Sequence, residues 1–330
     1  MSAQAIPVIF DTDPGVDDAL ALMFALAHPG IDVLGLTTVF GNVEVAQATA
    51  NALLLTELCN QAVPVAQGAA KPWQKSAHPP PALIHGADGL GELPRRLSST
   101  RGPEPRSAAR FIVDTVMARP GEVSLVAVGP MTNLADALKL EPKLARQVRS
   151  VVVMGGTIVE PGNVSPVAEA NIWNDPHAAD HVFSAGWPIT MVGLDVTHQV
   201  VVTVEMLERV AAAQRHQATD ALLHAFRFYA KFYATRHDHL LEKPGSYAHD
   251  LLAFVYLLHP EFFEVERGVI RVAQGGLGQG QTMMRRQTFM HYAQKGWEPE
   301  RPQSQACMKV DRQACLDLLR QTLMRPWLNS

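Results

Sequence analysis

The chain opens with a short apolar run, Val8, Ile9 and Phe10, that leads straight into four carboxylates, Asp11, Asp13, Asp17 and Asp18, all within eight positions. The apolar run reads as a buried strand that stops at Asp11, and an apolar-periodic helix begins at about Asp17. Like charges packed at one strand end raise each other's pKa unless a cation lies among them. Pro14 and Gly15 turn the chain after Asp13, so Asp18 can swing back toward an ion that Asp13 touches. Asp17 and Asp18 fall in the first helical turn, where the positive end of the helix dipole favours anions. With oxygen donors only, and no Cys or His close by in sequence, the expected ion is calcium or magnesium rather than zinc. The alternative is a helix cap in a solvated acidic loop, but a cap uses one carboxylate and not four. An EF-hand is excluded, because a loop starting at Asp11 puts Val16 where the glycine belongs and Leu22 where the glutamate belongs.

Beyond this turn, strand and helix signals alternate steadily. A helix over 19–27 stops at His28-Pro29-Gly30, a β-branched strand spans 32–40, and Gly41-Asn42 precedes a helix over 43–59. A βαβα start predicts a parallel sheet with right-handed crossovers and functional loops at the carboxyl ends of the strands. Residues 67–106 are rich in Pro and Gly and read as a long surface excursion. Within it, the segment from His85 to Gly89 is either a surface turn or a titratable ring on a permissive backbone.

Regularity returns with a helix over 107–118, a strand over 123–128, the turn Gly129-Pro130 and a helix from about Leu134. Such a turn can offer a backbone carbonyl to a metal. A strand over 150–154 leads to a loop with Asn163, Glu169, Asn171 and Asn174, suited either to hydroxyl groups or to plain turn chemistry. A helix over 175–185, a strand over 189–194 and helices over 203–214 and 219–241 come next. The aromatics of the last suit either a core or a recognition surface. His249-Asp250 opens a helix over 251–258, as an N-cap pair or as a titrating group beside a metal ligand. The tail from Glu261 holds a Gly-rich stretch, a final strand and a helix from about Asp311. The expectation is one α/β domain over 1–330: a single open, mostly parallel sheet flanked by helices, with the active site at the carboxyl ends of its strands.

Composition narrows the function class. A formal net charge of -4, with no Lys/Arg cluster longer than a pair, argues against nucleic acid as the partner. Three cysteines without a CxxC pair suit a reducing compartment. No secretory signal pattern and no apolar run of about 18 residues is present, so the expectation is a cytoplasmic protein without a membrane partner.

With these pieces assembled, the chain resembles the inosine-uridine preferring nucleoside hydrolase family. The likeness is carried by DTDPGVDD at Asp11 to Asp18, Gly41-Asn42, HGADGL at His85, GPMTN after Val128, MGG at Met154, NVSPVAEAN at Asn163 to Asn171, and His249-Asp250. The resemblance implies calcium-dependent hydrolysis of the N-glycosidic bond of ribonucleosides, in a homodimer or homotetramer. It implies calcium held by Asp13, Asp18, the Val128 carbonyl and Asp250. Asp17 and Asn42 would bind the ribose 2'- and 3'-hydroxyls, Asn163, Glu169 and Asn171 the 5'-hydroxyl side, and Met154 would lie near the sugar. His249 would face the base, with His85 the reserve candidate for protonating it. Base contacts are expected from residues 78–90 and 232–239. Breaking this bond passes through an oxocarbenium-like sugar, with a water that calcium makes more acidic and Asp13 deprotonates. The tail departs from the family pattern at Gln274 and Gln279, which replace charged residues. Two rivals are an aspartyl-phosphate phosphatase, whose fold also opens on a strand and DxD, and a non-catalytic calcium or nucleoside binding protein.

Overall fold

The computed structural model describes residues 5–94, 98–286, 292–298 and 300–328. Eleven strands are assigned among them: β1 Ile6–Thr12, β2 Ile31–Thr38, β3 Val65–Gln67, β4 Ser124–Ala127, β5 Ser150–Met154, β6 Ile189–Val192, β7 Val201–Thr203, β8 Gly245–Tyr247, β9 Phe263–Val272, β10 Thr282–Arg285 and β11 Ser304–Val310. Nine of them form one sheet in the order β10-β9-β11-β6-β5-β4-β1-β2-β3, and β7 and β8 pair apart from it. From β11 to β3 the strands run parallel. β9 and β10 close the other edge antiparallel. The fold is therefore the α/β class with a large, mostly parallel sheet.

Continuous apolar strands are what a sheet covered on both faces requires. Val8 and Phe10 of β1, Val126 of β4 and Val152 of β5 join one core with Leu20, Phe24 and Phe254. Ile9, Leu125, Val151 and Val153 join the other core with Phe111, Leu134 and Phe183. Alternate residues of each strand thus feed opposite layers. Helices Val16–Ala27 and Leu251–Leu258 belong to the first layer, and Ala108–Ala118, Thr132–Leu140 and Pro176–Phe183 to the second.

β1 lies between β2 and β4, so the chain moves outward in one direction through β2 and β3 and returns to build β4, β5 and β6 on the other side. The loops after β1 and β4 diverge there, which opens a crevice at the carboxyl ends of the strands. Asp13, after β1, and Val128, after β4, stand at its edges.

Four expectations change. β1 continues through Thr12 rather than stopping at Asp11, because Asp11 pairs with Thr37 and Ala127 in the ladder. The segment before His249 holds β8, three residues paired antiparallel with β7 and too short to show a period. The tail holds β9 ahead of its Gly-rich stretch and β10 and β11 after it, so it contributes three strands rather than one. The helix expected over 219–241 is Gln217–Ala234 followed by a separate turn, His239–Glu242. Among the described residues, no helix is long and apolar enough to cross a membrane.

Candidate active site

The floor of the crevice is acidic. Asp18 Oδ1 accepts from Thr12 Oγ1 at 2.5 Å and from the Asp13 amide at 3.3 Å. Its Oδ2 accepts from the Gly15 amide at 2.9 Å and from Asn42 Nδ2 at 3.0 Å. Asp18 therefore does serve the start of its own helix, and the capping alternative holds for this one carboxylate. Asp13 Oδ2 accepts from the Asn42 amide at 2.7 Å, whereas Asp13 Oδ1 is buried with no hydrogen-bond partner. Asp17 Oδ2 accepts from Tyr229 Oη at 3.1 Å, and Asp17 Oδ1 is likewise buried and unpartnered. The backbone comes close to Asp13 from two sides. A Cβ at Gly41 would lie 2.0 Å from Asp13 Oδ2, and one at Gly129 would lie 2.6 Å from Asp13 Oδ1, so only glycine fits at either place.

Asp250 reaches the same floor from the start of helix Leu251–Leu258. One carboxylate oxygen from each of Asp17, Asp18 and Asp250 lies within 4.8 Å of the others. Asp13 stands outside this trio and Asp17 inside it, the reverse of the division between metal and sugar that the family resemblance implies. Burial, together with repulsion from Asp18 and Asp17, pushes Asp13 well above the usual carboxylate range. Burial first, then Asp17, Asp18 and Asp13, does the same to Asp250. Burial raises Asp17 to about 6. These carboxylates fit a hard divalent cation: the donors are all oxygen, two oxygens lack a protein partner, and positive charge would relieve the repulsion. Val128 lines the cavity above, and its carbonyl accepts from Asn171 Nδ2 at 2.7 Å, which leaves one lone pair open.

Above the floor is a cavity of about 390 Å³ lined by Asp17, Asn42, Val128, Met154, Asn163, Glu169, Asn171, His85, His249 and Asp250, together with Tyr229, Tyr233 and Trp173. Every side chain that the resemblance assigns to substrate is therefore at its wall. Glu169 accepts from the amides of Asn171, Gly156 and Ile172 and so starts helix Ala170–Asn174. Burial raises it to about 7. Asn163 Oδ1 accepts from the Ala170 amide at 3.0 Å. Turn chemistry and cavity lining coexist in these residues.

His85 is no surface turn. Its side chain ends the short helix Ala82–His85, is 5% exposed, and lies against the Tyr229 ring with centroids 5.0 Å apart. Its Nδ1 accepts from the Val16 amide at 3.2 Å, and burial lowers the ring to about 4. The 3.8 Å approach to Asp17 is thus a contact of a neutral ring and not an ion pair. His249 is buried with both nitrogens engaged, Nδ1 with Thr197 Oγ1 at 2.9 Å and Nε2 with Tyr233 Oη at 3.0 Å. Burial, reinforced by His198, His85 and His237, lowers its pKa well below the ordinary value.

The direction of this network follows from its end. Tyr229 donates to a carboxylate, so its oxygen accepts the hydrogen bond from Tyr233 Oη–H, 3.4 Å away. Tyr233 then accepts from His249 Nε2–H, and His249 Nδ1 accepts from Thr197. A neutral histidine with its hydrogen on Nε2 satisfies every link.

Tyr229, Trp173 and Thr197 escaped the sequence reading, whereas Tyr233 falls within the segment expected to meet the base. The available signal was spacing: Tyr229 and Tyr233 are one helical turn apart and share a face. Asp11, like Asp13 and Asp18, is not among the residues that line the cavity. Its Oδ1 is also buried without a partner, but its Oδ2 accepts from Thr37 Oγ1 at 2.5 Å and Asn133 Nδ2 at 2.7 Å, so the residue that would attack phosphorus in a phosphatase is tied to β2 and helix Thr132–Leu140.

A cation-ready acidic floor under a polar cavity, set at the switch point of a parallel sheet, defines an α/β enzyme for a small polyhydroxylated molecule. The family model described as inosine-uridine preferring nucleoside hydrolase matches residues 8–317, and the chain belongs to that family. A probable uridine nucleosidase 2 of Oryza sativa subsp. japonica is 42% identical over 84% of this chain and 81% of its own. Among solved structures, a plant nucleoside hydrolase, the PpNRh1 enzyme, superposes with a TM-score of 0.88 at 35% identity, over 97% of this chain and 99% of that one. A purine-preferring ribonucleoside hydrolase from Gardnerella vaginalis superposes with a TM-score of 0.87 at 33% identity, over 96% and 98%.

Proposed function

We propose that this chain is a calcium-dependent ribonucleoside hydrolase that releases ribose and free base. N-ribosyl hydrolysis is the activity of its family. The observation that carries the finer reading is the buried acidic floor, whose unpartnered oxygens Asp13 Oδ1 and Asp17 Oδ1 lie beneath a cavity lined by Asn and Glu side chains. By the family resemblance Asp13, Asp18, the Val128 carbonyl and Asp250 would hold the ion; of these, Asp18 and Asp250 converge, and Asp17 converges with them. When bound, calcium supplies positive charge that keeps the carboxylates ionised and makes water at the floor more acidic.

Asp13 Oδ1 has a free lone pair, no competing donor and a carboxylate made more basic by burial, so it takes the proton of the attacking water. Asp17 and Asn42 hold the ribose 2'- and 3'-hydroxyls. Asn163, Glu169 and Asn171 hold the 5'-hydroxyl, and Met154 packs against the sugar. Carboxylates and amide oxygens around the ring favour the positive charge that grows on it as the bond to the base lengthens.

His249 assists departure of the base as a neutral donor, through the Nε2–H that it otherwise gives to Tyr233, rather than as a stored imidazolium. His85 is held neutral in the same way, with Nδ1 committed to the Val16 amide. The composition supports a cytoplasmic enzyme, and the family resemblance supports a homodimer or homotetramer of one-domain subunits. Sedimentation would decide the latter. The function is tested by assaying ribose release from uridine and inosine with and without added calcium. Ribose release from both, dependent on calcium, is expected. Hydrolysis of phosphate esters, or binding without turnover, would overturn the proposal.

A further inference from the structure

A second cavity, of about 380 Å³, lies at the opposite ends of the same strands, where Ser150 starts β5, Ile189 starts β6 and Ser304 starts β11. It shares no lining residue with the active cavity. Among the described residues, the only charged side chains that line it are Arg149 and Arg267, and no carboxylate does. Among those residues, too, neither guanidinium has a carboxylate partner within ion-pair distance. Arg267 is oriented by a neutral group. With the Gln305 amide turned so that its oxygen faces Arg267, it accepts at 3.2 and 3.1 Å, and its nitrogen donates to Tyr256 Oη at 2.9 Å and Thr190 Oγ1 at 3.2 Å. Ser304 is 2% exposed, and its buried hydroxyl has no partner.

We propose that this cavity binds a phosphate monoester of nucleotide size. Two exposed guanidiniums with no carboxylate within ion-pair distance favour an anion between them, and the planar fork of arginine matches phosphate oxygens. The volume is close to that of the cavity that takes the family's nucleoside substrates, which is more than a bare phosphate fills. Pro188, Leu257, Pro260 and the Tyr256 ring give the rest of the lining an apolar surface on which a base or sugar can lie. The two cavities are joined by solid elements. β5 runs from Ser150 to Met154, and helix Leu251–Leu258 has Asp250 at its start and Tyr256 near its end.

Titration calorimetry of the full chain with uridine 5'-monophosphate tests this, run on the parent, on the double variant Arg149→Gln with Arg267→Gln, and on Asn171→Ala. Asn171→Ala is expected to retain binding, because it alters only the active cavity. The double variant is expected to bind at least about tenfold more weakly, the loss of one good charge-assisted contact, with uridine hydrolysis and thermal midpoint unchanged. Inorganic phosphate is expected to bind at least about tenfold more weakly than the nucleotide, because it leaves the apolar surface uncovered. The proposal is overturned by no binding to the parent, by binding that survives the double change, by binding that Asn171→Ala abolishes, or by phosphate binding as tightly as the nucleotide. None of these outcomes bears on whether the enzyme hydrolyses ribonucleosides.

Discussion

Asp13, Asp17, Asp18 and Asp250 on the floor of the active cavity, and His85, His249, Tyr229 and Tyr233 on its wall, are all buried or nearly so, yet their polar atoms are treated differently. On the wall each ring is neutral and the links run in one direction from Thr197 to Asp17. On the floor, carboxylates crowd one another and two oxygens have no donor. A wall of that kind is stable by itself, whereas a floor of that kind must take up protons or a cation. The difference teaches that damage to the two regions should separate cleanly: floor variants lose ion and turnover together, and wall variants lose turnover alone.

The largest expected effect comes from the floor. Asp250→Ala or Asp13→Ala should lower turnover by about 10³-fold or more, with several kcal/mol of charge stabilisation withdrawn, and should weaken calcium binding in parallel. A variant that lost turnover but kept full affinity for the ion would break the contrast. His249→Ala should cost about 10²- to 10⁴-fold in turnover on uridine while calcium affinity stays at the parental value. The loss should shrink for a nitrophenyl riboside, whose leaving group needs no proton. If both substrates slow equally, and His85→Ala spares the riboside, the role passes to His85.

A smaller effect sharpens the account of the sugar. Buried Glu169 and Asn171 left badly paired by a 5'-phosphate cost about 1–3 kcal/mol each, so uridine 5'-monophosphate should be hydrolysed at least about tenfold less efficiently than uridine. Equal efficiency would count against placing the 5'-hydroxyl beside this loop.

The smallest effect is on stability, and its sign follows from burial. Asp11 and Glu169 are raised to about 7 and Asp17 to about 6 in the folded chain, above the unfolded carboxylate values. Folding then favours their protonated forms, a contribution present below about pH 4 and lost as pH rises through about 6 to 7. The thermal midpoint of chelated protein should therefore fall between pH 5 and 8, and calcium should oppose the fall by favouring the ionised floor. A chelated midpoint that rises over this interval would contradict the reading.

Much of this division could be read in the residues before any coordinates. The acidic turn points to a cation because capping accounts for Asp18 and strand-end hydrogen bonds for Asp11, which leaves Asp13 and Asp17 with buried oxygens that have no protein partner. β5 was legible to the residue, because Ser150–Met154 is a short strand, apolar from Val151 to Met154, that a Gly-Gly turn closes. The wall was harder. Tyr229 and Tyr233 have the spacing of an ordinary core stripe, and only packing decides which side of helix Gln217–Ala234 meets the cavity. Whether His85 lay on the surface depended on the fold of a Pro-rich segment with no period. Long-range anchors fix that segment: the Trp73 amide donates to Asp175, Trp73 Nε1 to Asp136, and Lys75 Nζ to the Trp173 carbonyl. β8 and β9 were missed because strand pairing is a property of two distant segments and not of either alone.

The central claim is that the floor works only with its cation, and the direct measurement is ribose release from uridine by chelated protein titrated with calcium. The account predicts turnover near zero without the ion and recovery that tracks calcium occupancy measured on the same sample. Full turnover by protein shown to be free of divalent metal would contradict it.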